Sequence, residues 1–536
     1  MQGELKKALA AAANKLFGEN AEPEITRPEE KFGDYSTNLA LQIAQKSGKD
    51  PHQTAQALAQ KLEGLSRVKK IDIAGPGFIN FTLTDEVLWK ATQGSAQLSR
   101  PLEGQEILVE FGDPNPFKEM HIGHLYSYIV GDSIAKLLES AGAKVRRLSY
   151  HGDVGLHVAK AIWGMKTQPE GQELGSYYAV GSRAYEEDPK AAEEIIFINE
   201  RVYKKDDEQI NQLYEQGKTA SFDYFDQTLS QLGVRTDKRY LESETITAAL
   251  EFIHSNTPAI FKESDGAIIY EGEKAGLHTR VFINSRGLPT YEAKDLGLAE
   301  LKHRDYPAVA RSIIITANEQ SEYFKVMLAA LREFDKDLAD KTTHLPHGFL
   351  SLTSGKMSSR TGDIYSARSL LRDVETTAKN LYPDTGTKTY LAAVKYGFLK
   401  HRLGSDIVYD VKESVSLEGN SGPYLQYAHA RAHGILLKSD KTSAPLRDTS
   451  LEASERSLAR KISEYPEVVE RAVAELMPHH IANYLYELAQ TFNRFYESSR
   501  IIGDERQALR LHLAKAYADI LKSGLGILNI SAPERI

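Results

Sequence analysis

The middle of the chain alternates short β-rich runs with stretches of helical spacing, and this alternation restricts the fold most strongly. Residues 107–111 have the composition of a buried strand, and residues 145–150 and 312–316 are two more strand candidates. Apolar residues from about His121 to Ser140 recur at helical spacing. Strands that alternate with helices in this way predict an α/β domain, in which helices cover the faces of a parallel sheet.

Composition shifts along the chain predict three domains. Residues 1–97 contain helical stretches followed by a strand-turn-strand pattern, which indicates a small α/β domain. Residues 98–384 hold the alternating pattern, interrupted from about 165 to 260 by a polar, mostly helical insertion. Residues 385–536 are almost entirely helical in pattern, with apolar residues on one face of each stretch, and predict a helical bundle.

The composition also excludes several classes of protein. The 66 basic and 74 acidic residues give a net charge of −8, which excludes a polycation but allows a basic face. The chain has no Cys and no HExxH spacing, so we expect neither disulfides nor a zinc site. No apolar run approaches the roughly 18 residues of a membrane span, and no signal peptide is recognisable. We therefore expect a cytoplasmic protein that does not contact membranes.

The sharpest local motif is His121-Ile122-Gly123-His124, at the boundary between a strand and a helix. The first turn of a helix has unpaired N–H groups and a partial positive charge, so it attracts phosphate. The two imidazoles, one turn apart, would point the same way, and Gly123 leaves room for a flat group to approach the backbone. The motif suits a nucleotide, although an ordinary helix start with two surface histidines is the alternative.

A second motif, Gly355-Lys356-Met357-Ser358-Ser359-Arg360, follows the strand-like residues 348–352. This small basic loop with two hydroxyls suits closure on a triphosphate. Lys118, in a loop held by Pro114 and Pro116, could also reach phosphate as a point charge. On its own the second motif is weak, and an ordinary solvated basic turn is the better interpretation. Its significance comes from its pairing with the histidine motif.

Together the two motifs resemble the signature of class I aminoacyl-tRNA synthetases, and longer matches narrow the resemblance to the arginyl-tRNA synthetases. Residues 109–125 are similar to the first signature of that family. Residues 419–431 are similar to the start of its anticodon-binding helical domain, and residues 532–535 match its C-terminal sequence. Residues 32–38 and 75–78 resemble its additional N-terminal domain. The likeness therefore extends over nearly the whole chain.

This resemblance implies a fold, an activity and partners. The fold is a Rossmann-like catalytic domain with a parallel sheet and an insertion, between a small N-terminal α/β domain and a C-terminal helical anticodon-binding bundle. The activity is ATP-dependent ligation of L-arginine to its tRNA through an arginyl-adenylate, with release of pyrophosphate and AMP. Mg²⁺ accompanies ATP. The N-terminal domain would contact the tRNA elbow and the bundle the anticodon loop.

The resemblance also implies roles for the two motifs. Catalysis and phosphate stabilisation would fall to the four basic groups His121, His124, Lys118 and Lys356. ATP would be bound by the residues of both motifs, namely His121, Gly123, His124, Lys356, Met357 and Ser358. No residue is implied to hold a metal.

A guanidinium group requires carboxylates, ideally in a forked arrangement. The resemblance places arginine at Glu110, Asn115, Tyr291 and Asp295. Tyr291 and Asp295 lie four residues apart and would share one face of a helix. Gln320 and Glu242 are weaker matches, and each is equally an ordinary surface residue.

The tRNA side is indicated by charge and by aromatic residues. Residues 388–447 contain nine Lys or Arg and five Asp or Glu, so this segment is locally basic in an acidic chain. Tyr424 and Tyr427 could stack on unpaired bases, and they are equally suited to the core of the bundle. We expect the chain to act as a monomer.

Two positions depart from the family pattern. Tyr126 stands where arginyl enzymes usually have Arg, and Ser359 stands where the lysine loop usually ends in Lys. Lys118 would supply the missing charge. Three alternatives stay open at this point: a synthetase for another amino acid, a catalytically silent tRNA-binding paralogue, and a small-molecule nucleotidyltransferase with the same histidine motif.

Overall fold

The N-terminal residues form a three-stranded antiparallel sheet accompanied by helices. The central strand β3 pairs with β1 and β2. Gly48, with φ of 67°, ends α2, and the Asp50 side chain starts α3 by accepting the N–H of Gln53 at 2.8 Å. The elements are α1 Gln2–Phe17, β1 Tyr35–Thr37, α2 Leu39–Ser47, α3 Pro51–Leu62, β2 Val68–Ala74, β3 Phe78–Leu83 and α4 Asp85–Thr92.

The structure is a computed structural model that describes residues 1–94, 96–169, 171, 174–353, 365–384, 386–438 and 450–535. The chain divides into two units. Unit 1 comprises Met1–Gln97, Arg431–Glu467 and Tyr486–Leu521, and unit 2 comprises Leu98–Ala430, Val468–Leu485 and Lys522–Ile536. In this division the C-terminal helices belong partly to each unit, and the separate bundle over 385–536 stays a prediction.

A five-stranded parallel sheet in unit 2 positions the candidate site. Its strand order is β11-β10-β4-β5-β6, and the central strands β4 and β10 are lined by buried Ile, Leu and Val because helices cover both faces. From β4 the chain proceeds to β5 and β6 on one side, and later to β10 and β11 on the other. The crevice beside the carboxyl ends of β4 and β10 is therefore the topological switch point, where open α/β sheets bind ligands. The first elements are β4 Glu106–Glu110, α5 Ile122–Ser140, β5 Lys144–His151 and α6 Leu156–Thr167.

The predicted insertion consists of three helices, and it ends before residue 260. After α9 the chain returns to the parallel sheet as β6, which pairs with β5. A small antiparallel sheet, β7-β8-β9, follows α10 and is absent from the sequence prediction. The elements are α7 Leu174–Glu187, α8 Pro189–Lys204, α9 Glu208–Leu232, β6 Lys238–Leu241, α10 Glu242–Ser255, β7 Lys262–Ser264, β8 Ala267–Tyr270 and β9 Arg280–Ile283.

The second half of the sheet is followed by two short paired strands and then by helices. β12 pairs with β13 in parallel. The elements are α11 Tyr291–Asp305, β10 Arg311–Ala317, α12 Ser321–Phe334, α13 Lys336–Lys341, β11 Thr342–His347, β12 Leu350–Leu352, α14 Ala367–Leu381, α15 Thr387–Leu399, β13 Ile407–Tyr409 and α16 Val411–Ser414. Turns of 3₁₀ helix cover Glu30–Phe32, Gly272–Ala275 and Asn318–Gln320.

The remaining elements are the C-terminal helices α17 Gly422–Leu437, α18 Ala453–Ser463, α19 Tyr465–Glu475, α20 His479–Ser498 and α21 Gln507–Ile527. Within unit 1, buried ion pairs fasten α18 to the N-terminal sheet. Asp34 is fully buried, and its carboxylate accepts from Arg456 at 2.7 Å and lies 3.3 Å from the guanidinium of Arg460. Removing either partner of such a pair leaves a buried charge uncompensated, so this network holds unit 1 together.

Candidate active site

A cavity of about 420 Å³ opens at the carboxyl ends of β4 and β10. Its walls come from the end of β4 and the following loop, the first turn of α5, the start of α10, α11, and the end of β10 with the turn that follows it. Nine of the residues predicted for the site line this one cavity, namely Glu110, Asn115, His121, Gly123, His124, Glu242, Tyr291, Asp295 and Gln320.

The histidine motif forms the start of α5. His121 is the N-cap residue, and its Nδ1 accepts the N–H of Gly123 at 3.0 Å. The N–H of His121 in turn donates to Nδ1 of His124 at 3.3 Å. The two rings are stacked with their centroids 3.7 Å apart. Because both Nδ1 atoms accept hydrogen bonds, each neutral ring carries its proton on Nε2 and presents an N–H donor.

Both rings are held in the neutral form. Burial lowers the pKa of His121 to about 4, with smaller contributions from His347 and Lys118. Burial also places the pKa of His124 well below its ordinary value, and the neighbouring His121 lowers it further. At neutral pH the pair therefore offers hydrogen-bond donors without positive charge.

Residue 123 must be glycine because the ring of His121 lies against its Cα. A Cβ atom at Gly123 would lie 2.8 Å from Cε1 and 2.9 Å from Nδ1 of His121. The ring cannot give way freely, since it accepts the Gly123 N–H and stacks on His124. Any side chain at this position would therefore disturb the histidine pair.

Two carboxylates of the cavity are neutralised by buried lysines. Glu110, at the end of β4, forms an ion pair with Lys302, and Glu242, at the start of α10, forms one with Lys294. All four side chains are at most about a tenth exposed. Burial raises the pKa of Glu242, although Lys294 opposes that shift.

Two further carboxylates, Asp113 and Asp295, have no ion-pair partner among the residues that the structure describes. Asp295 is 8% exposed, and burial raises its pKa to about 7, even though Tyr323 donates a hydrogen bond to it at 2.5 Å. Asp113 accepts the N–H of Tyr150 at 2.7 Å, and burial together with Glu110 raises its pKa well above the ordinary value. Unpaired carboxylates in a low-dielectric site favour a cationic ligand.

Asn115, Tyr291 and Gln320 occupy the rest of the cavity wall. The side-chain oxygen of Asn115 accepts the N–H of Gly152 at 3.1 Å, which fixes the amide. Tyr291 is 72% exposed at the start of α11, so it stands at the edge of the cavity with its ring accessible. Gln320 is exposed as well, yet it lines the cavity.

Several residues of the cavity escaped the sequence prediction. The cavity is also lined by Asp113, Ser127, Tyr150 and Tyr323. Lys302 does not line the cavity, but it forms the ion pair with Glu110. Ser127 links the loop after β4 to β10, because its hydroxyl accepts the Gly112 N–H at 3.0 Å and lies 3.4 Å from the carbonyl of Ile315. Asp113 lies in the same loop as Lys118. The position of that loop after β4 was therefore the sequence signal that could have indicated Asp113.

Lys118 is not among the described residues that line the cavity. Its ammonium lies 4.6 Å from the ring centroid of Tyr178 on α7. Its charge nevertheless contributes to the low pKa of His121, so Lys118 is within electrostatic reach of the motif. The preceding Phe117, buried and with φ of 66°, anchors this loop by donating its N–H to Ser221 on α9 at 2.8 Å.

Lys356, Met357 and Ser358 lie outside the described residues, as does Ser359. The chain that follows them does return to the histidine motif. The Ile122 N–H donates to the carbonyl of Tyr365 at 3.3 Å, and the Ala367 N–H donates to the carbonyl of Met120 at 2.8 Å.

The structure shows how deeply the three tyrosines singled out in the sequence are buried. Tyr126 is buried on α5, where its ring packs edge-on against His347 and Phe398. Tyr427 is 45% exposed on α17, which excludes it from the core, and Tyr424 is partly buried.

Three protein-family models match the chain. The arginyl-tRNA synthetase N-terminal domain matches residues 3–83, the catalytic domain of class I (R) tRNA synthetases matches residues 85–394, and the DALR anticodon-binding domain matches residues 425–536. The catalytic model alone covers more than half of the chain. The chain belongs to the class I arginyl-tRNA synthetase family. The predicted fold class, family and enzyme class are thereby confirmed.

Individual relatives agree. The arginine–tRNA ligase of Flavobacterium psychrophilum is 29% identical, over 89% of this chain and 88% of its own length. That of Porphyromonas gingivalis strain W83 is 26% identical, over 99% of both chains. The solved arginyl-tRNA synthetase of Thermus thermophilus superposes with a TM-score of 0.84 at 26% identity and covers 100% of both chains.

The described residues of the site include no cluster of metal ligands, and the described helices include no membrane span. In the described part of the chain, His, Asp and Glu side chains form no group of three that could hold a metal ion. Among the described helices, none is long and apolar enough to cross a bilayer.

Proposed function

We propose that the chain ligates L-arginine to its tRNA in two steps, through an arginyl-adenylate formed from ATP. The observation that carries this proposal is one cavity lined both by a neutral histidine pair at a helix start and by two carboxylates, Asp113 and Asp295, that have no ion-pair partner among the described residues. The first feature suits a phosphate group, and the second suits a guanidinium. The relatives named arginine–tRNA ligase support the same activity.

The guanidinium of arginine would bind at Asp295, with Asp113 close by and Tyr291 at the edge. Glu110 and Glu242 are already neutralised by lysines, so they act mainly as hydrogen-bond acceptors in the same pocket. A guanidinium beside Asp295 lowers the pKa of that carboxyl, because an opposite charge favours the ionised form. The planar donors can bind a carboxylate through two parallel hydrogen bonds. Asn115 and Gln320 would complete the arginine site.

ATP would bind at the first turn of α5. The Nε2–H groups of His121 and His124 would donate to the α-phosphate, where charge develops in the transition state. Lys356, Met357 and Ser358 are assigned to the phosphates by their family motif alone. Mg²⁺, carried by the phosphates of ATP, supplies counter-charge when bound.

Formation of the adenylate depends on the positioning of the two substrates more than on acid–base catalysis. The arginine carboxylate is already ionised, so it attacks the α-phosphate in line and pyrophosphate departs. The neutral histidines donate hydrogen bonds throughout and exchange no proton. In the second step the 3′-terminal adenosine of the tRNA takes the arginyl group on its 2′-hydroxyl, and AMP leaves.

The tRNA itself would span the chain. Residues 1–97 are assigned to the tRNA elbow and residues 385–536 to the anticodon loop, and the matched N-terminal and anticodon-binding families support this division. Tyr427, exposed on α17, is the better placed of the two tyrosines for stacking on a base, and Tyr424 would contribute less. We further propose that the enzyme acts as a monomer in the cytoplasm.

Charging of total tRNA with labelled arginine, ATP and Mg²⁺ tests the proposal, with the other amino acids as controls. We expect charging with arginine alone. Charging with a different amino acid would assign another synthetase activity. Binding of tRNA without any charging would instead favour the catalytically silent paralogue.

A further inference from the structure

A second cavity, of about 360 Å³, lies in unit 2 where four segments meet. These segments are α5, the end of α9, α15 and the chain after α21. Lys136 lies twelve residues after His124 on α5, which is about 18 Å along a helix axis. The second cavity is therefore distinct from the candidate active site, with which it shares no lining residue.

Three lysines line this cavity, and its described lining includes no carboxylate. Lys395 is 6% exposed, and its ammonium donates to the carbonyls of Leu232 at 2.7 Å and Asn529 at 2.6 Å. An ammonium has three N–H donors, so one remains for a ligand. Lys136 and Lys388 have no hydrogen-bond or ion-pair partner for their ammonium groups within the described chain.

The acid that acts on the charge of Lys395 is Asp132. Asp132 accepts from Arg147 at 2.8 Å and from the side chain of Asn529 at 2.7 Å, so its two oxygens are already engaged. Burial and the proximity of Lys136 lower the pKa of Lys395 to about 8, against the opposing effect of Asp132. Like charges gathered in a concave surface raise the local concentration of an anion.

We propose that this lysine cavity, defined by Lys136, Lys388 and Lys395, binds an anion of the phosphate class. Lys395 would meet it at the base of the cavity, and Lys136 and Lys388 would meet it nearer the solvent. The polar groups of Ser230, Gln231 and Ser531 line the same cavity and can add hydrogen bonds. The anion can come from two sources, a free phosphate compound such as pyrophosphate or a phosphodiester of bound RNA. The proposal is independent of the arginine chemistry.

The test uses the full chain and the double variant Lys136→Gln/Lys388→Gln. Lys395 is left intact because it fastens two backbone segments. The matched control is Lys166→Gln, which removes an exposed lysine of α6 that has no ion pair among the described residues. Equilibrium dialysis measures labelled pyrophosphate while a non-hydrolysable ATP analogue saturates the active site. Tungstate soaked into crystals locates the site by anomalous diffraction.

If the source is a free anion, the tungstate peak lies between the three lysines, and the double variant weakens pyrophosphate binding by about tenfold or more. Its tRNA affinity then equals that of the control. If the source is RNA, the double variant loses tRNA affinity, and the slope of log K against log salt falls by about 1 to 2. The proposal is overturned if both pyrophosphate and tRNA bind the double variant as they bind Lys166→Gln.

Discussion

The hydroxyl of Tyr323 donates a 2.5 Å hydrogen bond to Oδ2 of Asp295, a buried cavity carboxylate that has no ion-pair partner within the described part of the chain. This bond opposes the effect of burial and keeps the pKa of Asp295 near 7. Asp295 can bind a guanidinium only when ionised. If arginine binds at Asp295 as proposed, Tyr323 influences that binding without a need to touch arginine.

Tyr323→Phe should weaken arginine binding at neutral pH, because loss of the hydrogen bond raises the pKa of Asp295 further. We expect KM for arginine to rise about tenfold at pH 7 with little change in kcat. In the parent enzyme the KM should fall as pH rises through about 7 and then level off. In the variant this midpoint moves to higher pH. Tyr270→Phe, which removes a hydroxyl bonded to Glu333 outside the cavity, is the control. An unshifted midpoint would contradict the prediction.

Asp295→Asn should stabilise the protein in the absence of arginine while it abolishes activity. The pKa of Asp295 is raised on folding, so the folded state holds a proton that the unfolded state releases between about pH 4 and 7. Over that range the parent enzyme loses stability as pH rises, by roughly 4 kcal/mol. The advantage of the variant should grow between pH 4 and 7 and stay constant above. Urea unfolding at several pH values measures this, and a constant difference between the two proteins would exclude it.

His121→Asn separates the structural role of His121 from its proposed catalytic role. An Asn side chain caps a helix well, so α5 should keep its stability, whereas the Nε2–H donor is lost. We expect arginylation to fall about 10²-fold without a drop in melting temperature. His121→Ala should lose the same activity and also about 1 kcal/mol of stability. If the Asn variant retained full activity, the donor role of His121 would be wrong.

Lys118→Ala tests whether this lysine supplies the charge that Ser359 does not. We expect kcat for arginylation to fall about 10²-fold, the scale of one lost transition-state contact. Lys160→Ala is a matched control, because Lys160 also lies over a tyrosine of α7, with 4.5 Å to the ring of Tyr185. If Lys118 serves only to hold α7, the two variants should lose activity equally.

Local patterns predicted local structure well. The apolar spacing after His121 predicted the helix found at Ile122–Ser140, since the same spacing lets its buried face pack. β6 was missed because a short, charged edge strand is recognisable only through its pairing with β5. The β7–β8 hairpin had a usable signal in Asp265-Gly266, whose positive φ angles of 50° and 75° suit a tight turn.

For the candidate site, too, the sequence predicted local features but not contacts between distant elements. Family motifs indicated the residues of one cavity, but they did not indicate what each residue contacts. The pairing of Glu110 with Lys302, and of Asp295 with Tyr323, joins positions on different elements that only the folded chain brings together. The charge state of the pocket therefore could not be read from the sequence.

The contact between Gly123 and the ring of His121 has a consequence for redesign of this helix start. The choice of residue at position 123 depends on the residue at position 121, since a side chain at 123 would displace the ring of His121. A library that varies Gly123 while His121 is kept would sample almost only disturbed first turns, whereas residue 121 can be exchanged for another capping residue while Gly123 is kept. Any side chain at residue 123 would require the histidine to be exchanged as well, with a new cap for α5 chosen in the same step.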